Sequence, residues 1–211
     1  MPISDPSSEQ SFERTVTPLQ TIKEVKPNTF IYEQQNALDK NLCADMIQRF
    51  EQHTEDQYAG RIGQTVSQDQ SIKKTTDLVV SGKEHWKDVD RALFQSLATA
   101  VKEFRETFPY FKGPFKDMGY GIQRYNPGEY YHWHIDGGSH DFAMRQLVAI
   151  WYLNDVPKGH GGETEFLSQD IKITPEAGKL VLFPPFWTHE HRACTLTKGV
   201  KYIATTWVVF A

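Results

Sequence analysis

The run Tyr131-His132-Trp133-His134-Ile135-Asp136, with His189-Glu190-His191 and Lys201 far downstream, carries the residue types of a metal centre. On an extended strand alternate side chains share a face, so His132, His134 and Asp136 project together. A second strand that lays a distant histidine beside them completes two imidazoles and one carboxylate on one side of a metal. That facial set leaves coordination positions open for other ligands, as in non-heme iron sites that activate dioxygen. Residues alone leave the choice open twice: His132 competes with His134, and His189 with His191. An inward-facing Lys201 among Val200, Tyr202, Ile203 and Ala204 implies an anionic partner, because burying an unpaired ammonium costs several kcal/mol.

The elements that must position these groups change character along the chain. Residues 1 to about 26 are rich in Ser, Pro, Glu, Gln and Thr and predict a flexible arm or an extended strand laid on the body. Thr29-Phe30-Ile31-Tyr32 predicts a short strand. Cys43, Met46, Ile47 and Phe50 recur with helical spacing behind a cap at Asp39 or Asn41. The polar segment 54–76, with Gly60-Arg61-Ile62-Gly63, predicts a loop or hairpin and a candidate lid. Apolar residues from Val89 to Phe104 predict an amphipathic helix over Trp86 to Phe108. Beyond Tyr120 come short β-branched and aromatic runs punctuated by Gly and Pro. Helices followed by many short strands predict a mainly β (α+β) fold, with helices packed outside a double-stranded β-helix, a jelly-roll barrel.

Composition bounds the class. A chain of 211 residues, 39% hydrophobic, can bury one sizeable core. A formal net charge of −4, with no basic block beyond the pair Lys73-Lys74, gives no sign of a nucleic-acid-binding surface, and a nucleic-acid substrate is the least expected. The two cysteines, Cys43 and Cys194, do not make a disulfide framework, and a reducing cytoplasm is the expected compartment. No apolar run approaches the roughly 18 residues of a membrane span, and no secretory signal pattern opens the chain. The expected setting is soluble and intracellular; oligomeric state is not legible.

Several blocks stand in a recognisable order. They are Gln123-Arg124-Tyr125-Asn126-Pro127-Gly128-Glu129-Tyr130-Tyr131, the His134/Asp136 pair, the run Leu147 to Leu153 behind Arg145, and Gly161-Gly162-Glu163-Thr164-Glu165-Phe166. Gly178 to Pro184, His191 to Tyr202, and a closing Ala204-Thr205-Thr206-Trp207 complete the series. In this pattern the chain resembles the 2-oxoglutarate/Fe(II)-dependent oxygenases, and within them the prolyl 4-hydroxylase-like group. The resemblance covers residues 120–211 closely and 28–119 more loosely. It implies one oxygenase domain over 27–211, with helical support in 27–119 and a cupin-like catalytic barrel in 120–211.

The resemblance also ranks the ligands. The family motif places a glycine six residues and a tyrosine three residues before the first histidine, as Gly128 and Tyr131 precede His134. Downstream it places a glycine eight and a basic residue ten positions after the last histidine, which Gly199 and Lys201 satisfy from His191 and not from His189. The implied metal set is therefore His134, Asp136 and His191 around Fe(II). Lys201, Tyr125 and Thr164 would hold 2-oxoglutarate, with O2 as co-reactant and ascorbate as reductant. Tyr131, Arg145 and Trp207 match positions that face a peptidyl proline. The implied activity is prolyl hydroxylation of a peptide or protein. A free amino acid or other small metabolite is the alternative, and a non-catalytic metal-binding jelly roll a remoter one. Departures from the family pattern are His132-Trp133 before the histidine and Arg192 after the distal one.

Overall fold

Strand β9 (Arg145–Tyr152) shows in one element how the molecule is layered. Leu147, Ala149 and Trp151 enter one apolar cluster, while Val148, Ile150 and Tyr152 enter another. The period-two alternation thus divides two cores, and both faces of the strand are covered, which is why it reads as an unbroken apolar run. The computed structural model describes residues 21–63 and 67–211.

In chain order the strands are β1 (Lys23–Glu24), β2 (Tyr32–Gln34), β3 (Gln57–Ala59), β4 (Lys73–Lys74), β5 (Thr76–Val79), β6 (Phe115–Asp117) and β7 (Gly121–Tyr125). There follow β8 (Tyr130–His134), β9, β10 (Thr164–Phe166), β11 (Ile171–Ile173), β12 (Leu180–Phe183), β13 (His191–Ala193) and β14 (Lys201–Phe210). They form two antiparallel sheets. The larger runs β1-β2-β12-β9-β14-β7-β5-β3, with β6 also on β14; the smaller runs β11-β10-β13-β8-β4. Phe166, Ile171, Ile173 and Ala193 of the smaller sheet share a core with Val148, Ile150, Val181, Phe183 and Ile203 of the larger, so the sheets face one another.

The two α-helices, α1 (Lys40–Gln52) and α2 (Lys87–Thr107), sit against the other face of the larger sheet. Asp39 caps α1, accepting from the Asn41 and Leu42 N–H groups, and Cys43, Met46 and Phe50 turn inward. From α2, Val89, Leu93, Leu97, Ala100 and Phe104 enter the same core as Leu147, Trp151, Leu180 and Ala204. At about 2 kcal/mol per large apolar side chain buried, this packing rather than helix propensity holds α2 in place. Polar ties fix the register: the Trp151 indole donates to Ser96 at 2.9 Å, and Glu51 accepts from both Arg124 and Tyr202 at 2.8 Å.

Two expectations need adjustment. The strand expected over 29–32 begins only at Tyr32, because Asn28 and Phe30 adopt left-handed φ of 64° and 57° and make the β1–β2 turn. For segment 54–76, expected as a loop or hairpin, the structure gives the hairpin: it supplies β3, β4 and the start of β5, with β3 antiparallel to β5, and residues 64–66 within it lie outside the described residues. The stretch expected as helical support also contributes β2 to β6 to the two sheets. Of the expected N-terminal arm, residues 1–20 lie outside the described residues, and Lys23–Glu24 is a strand. Among the described residues no helix is long and apolar enough to cross a membrane.

One glycine governs the approach to β10. Gly161 has φ +76°, and a Cβ there would collide with the Thr195 carbonyl oxygen. Gly161→Ala is expected to lower the unfolding free energy by about 2 kcal/mol or more, from the left-handed penalty plus the backbone clash. Denaturant unfolding measures it, and an unchanged midpoint would contradict the reading.

Candidate active site

β8 ends at His134, β13 begins at His191, and the antiparallel register sets these two residues opposite each other. Asp136 follows two residues on, where its own N–H and that of Gly137 donate to the Pro185 carbonyl at 3.0 and 2.8 Å. One ligand atom from each of His134, Asp136 and His191 lies within 4.8 Å of the others. His191 Nε2 stands 3.3 Å from Asp136 Oδ2.

The rings are oriented alike. His134 Nδ1 lies 2.7 Å from the His132 carbonyl, and His191 Nδ1 lies 3.0 Å from the His189 carbonyl. A carbonyl only accepts, so each Nδ1 donates to it, and each ring turns its Nε2 toward the cluster as the atom a metal would take. Burial, reinforced by His191, pushes the His134 imidazole down to about 3, so it stays neutral. Burial alone would raise the Asp136 carboxyl. The hydrogen bond and charge of His191, with His134 and Arg145, outweigh that and hold it well below the usual range. Two imidazoles and one anionic carboxylate fit a divalent metal.

The competing histidines do other work. His132 is exposed, with its ring beside Tyr130. His189 is buried and uses both nitrogens, Nε2 with the Thr29 carbonyl at 2.9 Å and Nδ1 with Thr188 Oγ1 at 2.8 Å. In each His-x-His pair, then, the first residue's carbonyl aims the second residue's ring.

A cavity of about 160 Å³ opens beside the cluster and reaches Lys201, Tyr125 and Thr164. Lys201 is 1% exposed and pairs in register with Tyr125, its Nζ 4.6 Å from that ring centroid. Among the described residues it makes no ion pair. A buried ammonium without a counter-ion at the cavity's inner end fits a ligand carboxylate. Thr164 Oγ1 accepts from the Tyr152 hydroxyl at 2.6 Å, which leaves its own proton free for the cavity. Tyr125 donates to Gln123 Oε1 at 3.0 Å, and burial raises its pKa far enough to keep it a phenol. Tyr152 and Gln123 carried no signal in the linear sequence.

Toward the opening, Tyr131 stacks on His134 with centroids 3.5 Å apart. Arg145 is sandwiched between Phe142 and Trp207, its Cζ 4.0 and 3.8 Å from their centroids, and donates to the Asp136 carbonyl at 2.7 Å. Among the described residues, Arg145 Nε and Trp207 Nε1 are buried without a hydrogen-bond partner. All nine residues singled out from the sequence therefore line one cavity. The structure adds Phe142 and a Lys73–Asp77 ion pair of 2.6 Å, both of whose members are nearly inaccessible. Arg61, Ile62 and Lys73 bring segment 54–76 to the cavity wall.

Facing antiparallel sheets around a His–Asp–His cluster fit the facial-triad kind of metal site. The family comparison narrows this: residues 120–209 match the model of the 2OG-Fe(II) oxygenase superfamily. PKHD-type hydroxylases of Synechococcus sp. and Klebsiella pneumoniae are each 28% identical, over 89 and 131 residues, or 41% and 57% of this chain. Those matches span 39% and 58% of the relatives' own lengths. Among solved structures, a prolyl hydroxylase from Trichoplax adhaerens, in complex with a hypoxia inducible factor oxygen degradation domain peptide, is similar at a TM-score of 0.74 and 17% identity. That match covers 86% of this chain and 84% of that one. A viral collagen prolyl hydroxylase from Paramecium bursaria Chlorella virus 1, in its 2OG complex, gives 0.67 and 18%, covering 89% and 100%. A Pseudomonas putida prolyl-4-hydroxylase gives 0.64 and 19%, covering 86% and 93%. These structural likenesses, all under 20% identity, show the shared fold.

Proposed function

We propose that the protein is an Fe(II)- and 2-oxoglutarate-dependent dioxygenase that hydroxylates a prolyl residue of a peptide or protein, with release of succinate and CO2. The observation that carries this reading is the buried, unpaired Lys201 in the same cavity as His134, Asp136 and His191. The two sheets are read as the walls of a double-stranded β-helix, a jelly roll with α1 and α2 on one side and residues 27–211 as one domain.

Ferrous iron and 2-oxoglutarate, when bound, supply oxidation of an unactivated C–H bond by O2, with ascorbate as the expected reductant. The protein's part is placement and exclusion of water. His134, Asp136 and His191 hold the metal from one side and leave the other open. Lys201, with the free Thr164 proton and Tyr125 nearby, receives the remote carboxylate of the cosubstrate. Tyr131 and the Phe142–Arg145–Trp207 stack form the wall a substrate meets, and Arg145 Nε and Trp207 Nε1 are donors suited to peptide carbonyls. Similarity to a prolyl hydroxylase crystallised with a peptide supports a peptide over a free amino acid.

Trp207→Phe keeps the ring on Arg145 and removes one donor. It is expected to raise the peptide KM about fivefold, near 1 kcal/mol for one neutral hydrogen bond, while the KM for 2-oxoglutarate holds. Equal changes in both constants would move Trp207 out of the substrate wall. The reading as a whole is tested by mass spectrometry of proline-containing peptides incubated with iron, 2-oxoglutarate and ascorbate. Gain of one oxygen atom on proline is expected. Modification of free proline or another metabolite, with peptides untouched, would overturn the peptide assignment.

A further inference from the structure

A second His–Asp–His group lies outside the cavity, where the end of α1 meets the start of α2. His53 is the residue that closes α1, Asp56 ends the 3-10 turn Thr54–Asp56, and His85 sits in the turn Glu84–Trp86 that leads into α2. One ligand atom from each lies within 4.8 Å of the other two. We propose that His53, Asp56 and His85 form a second divalent transition-metal site, of the zinc class, that clips the two helix ends together.

The geometry supplies what such a site needs. The imidazoles face each other with centroids 4.5 Å apart, and His85 Nε2 stands 3.3 Å from Asp56 Oδ2. His53 Nδ1 lies 3.0 Å from Glu55 Oε1. With that carboxylate accepting the Nδ1 proton, the Nε2 lone pair is left for a metal, the carboxylate–histidine arrangement that commonly backs metal-bound imidazoles. The backbone is held in advance of binding. Arg49 of α1 pairs with Asp88 of α2 at 2.8 Å and donates to the His85 carbonyl at 3.3 Å. The side chains of His53, Asp56 and His85 are 33%, 24% and 44% exposed, so a fourth position opens to water and completes a tetrahedron. Two imidazoles and one carboxylate suit Zn2+, and equally Co2+ or Ni2+ as probes.

One neighbour opposes the metal. Lys83 Nζ pairs with Asp56 Oδ1 at 2.6 Å, leaving Oδ2 directed at His85. Removing that ammonium should therefore tighten the site rather than loosen it, an effect that a purely structural Asp56 would not give.

The test is a Zn2+ titration of the full chain without an affinity tag, comparing wild type, Asp136→Ala, and His53→Ala/His85→Ala. Two equivalents are expected for wild type and one for each variant. The double variant should keep its 2-oxoglutarate turnover and lose the rise in unfolding temperature that Zn2+ gives the wild type. The half-exposed single substitution His85→Gln provides the same comparison should the double variant fold poorly, and Lys83→Ala should bind more tightly. A double variant or His85→Gln that takes up as many equivalents as wild type would overturn the proposal. Asp136→Ala matching wild type would instead count against the oxygenase site and leave this comparison intact.

Discussion

Asp136→Ala is expected to reduce succinate formation at least about a thousandfold, a loss near 4 kcal/mol in the reaction barrier. The carboxylate is the one anion among the three ligands, it lies 3.3 Å from His191 Nε2, and it is held ionised well below the ordinary carboxylate range. Two imidazoles without it lack the negative charge to retain a hard divalent ion against water. The fold should survive, because the bond tying residue 136 to Pro185 uses the backbone N–H, as does the neighbouring one from Gly137. Turnover, metal content and unfolding midpoint are to be measured on the same preparation. Activity within about tenfold of wild type would remove Asp136 from the metal.

Lys201→Met comes next in size. Methionine retains most of the stem's volume and removes the charge, so the KM for 2-oxoglutarate should rise about a hundredfold, near 3 kcal/mol for a buried charge-assisted contact. Burial pushes the Lys201 ammonium down from 10.5 to about 8. Binding a dianion requires the protonated form, so the wild-type affinity should be flat below pH 8 and fall about tenfold per unit above it. The stability linkage has the opposite direction. Between pH 8 and 10.5 the unfolded chain holds the proton and the folded one has released it, so stability rises with pH there, and the cost of the buried charge is fully present below pH 8. Lys201→Met should therefore be more stable than wild type at neutral pH while binding cosubstrate far worse. A variant that loses stability and affinity together would point to a packing role instead.

The chemistry was more legible in the sequence than its surroundings. His134, Asp136 and His191 could be ranked because the spacing from Gly128 and to Lys201 is local and countable, and the register His191↔His134 then follows from antiparallel pairing. Helix α1 was visible in its cap and period, and α2 in Val89, Leu93, Leu97 and Phe104. Tyr152 behind Thr164, Gln123 beside Tyr125 and the Lys73–Asp77 pair were not: the partners lie only twelve, two and four residues apart, but spacing does not say which side chains turn inward to meet. The turn at Asn28 and Phe30 was missed for a different reason. Phe30 is a β-former in a left-handed conformation, held where its N–H donates to Glu24 and the Val25 N–H to the Ile31 carbonyl. Hydrogen bonds across the turn override the residue's own preference there.

The most direct test of the account is succinate release from 2-oxoglutarate by Fe(II)-loaded protein, with and without proline-rich peptides, beside His134→Ala. Peptide-stimulated release that disappears in His134→Ala is the predicted result. Release that is absent from the wild type, or equal in the variant, would contradict it.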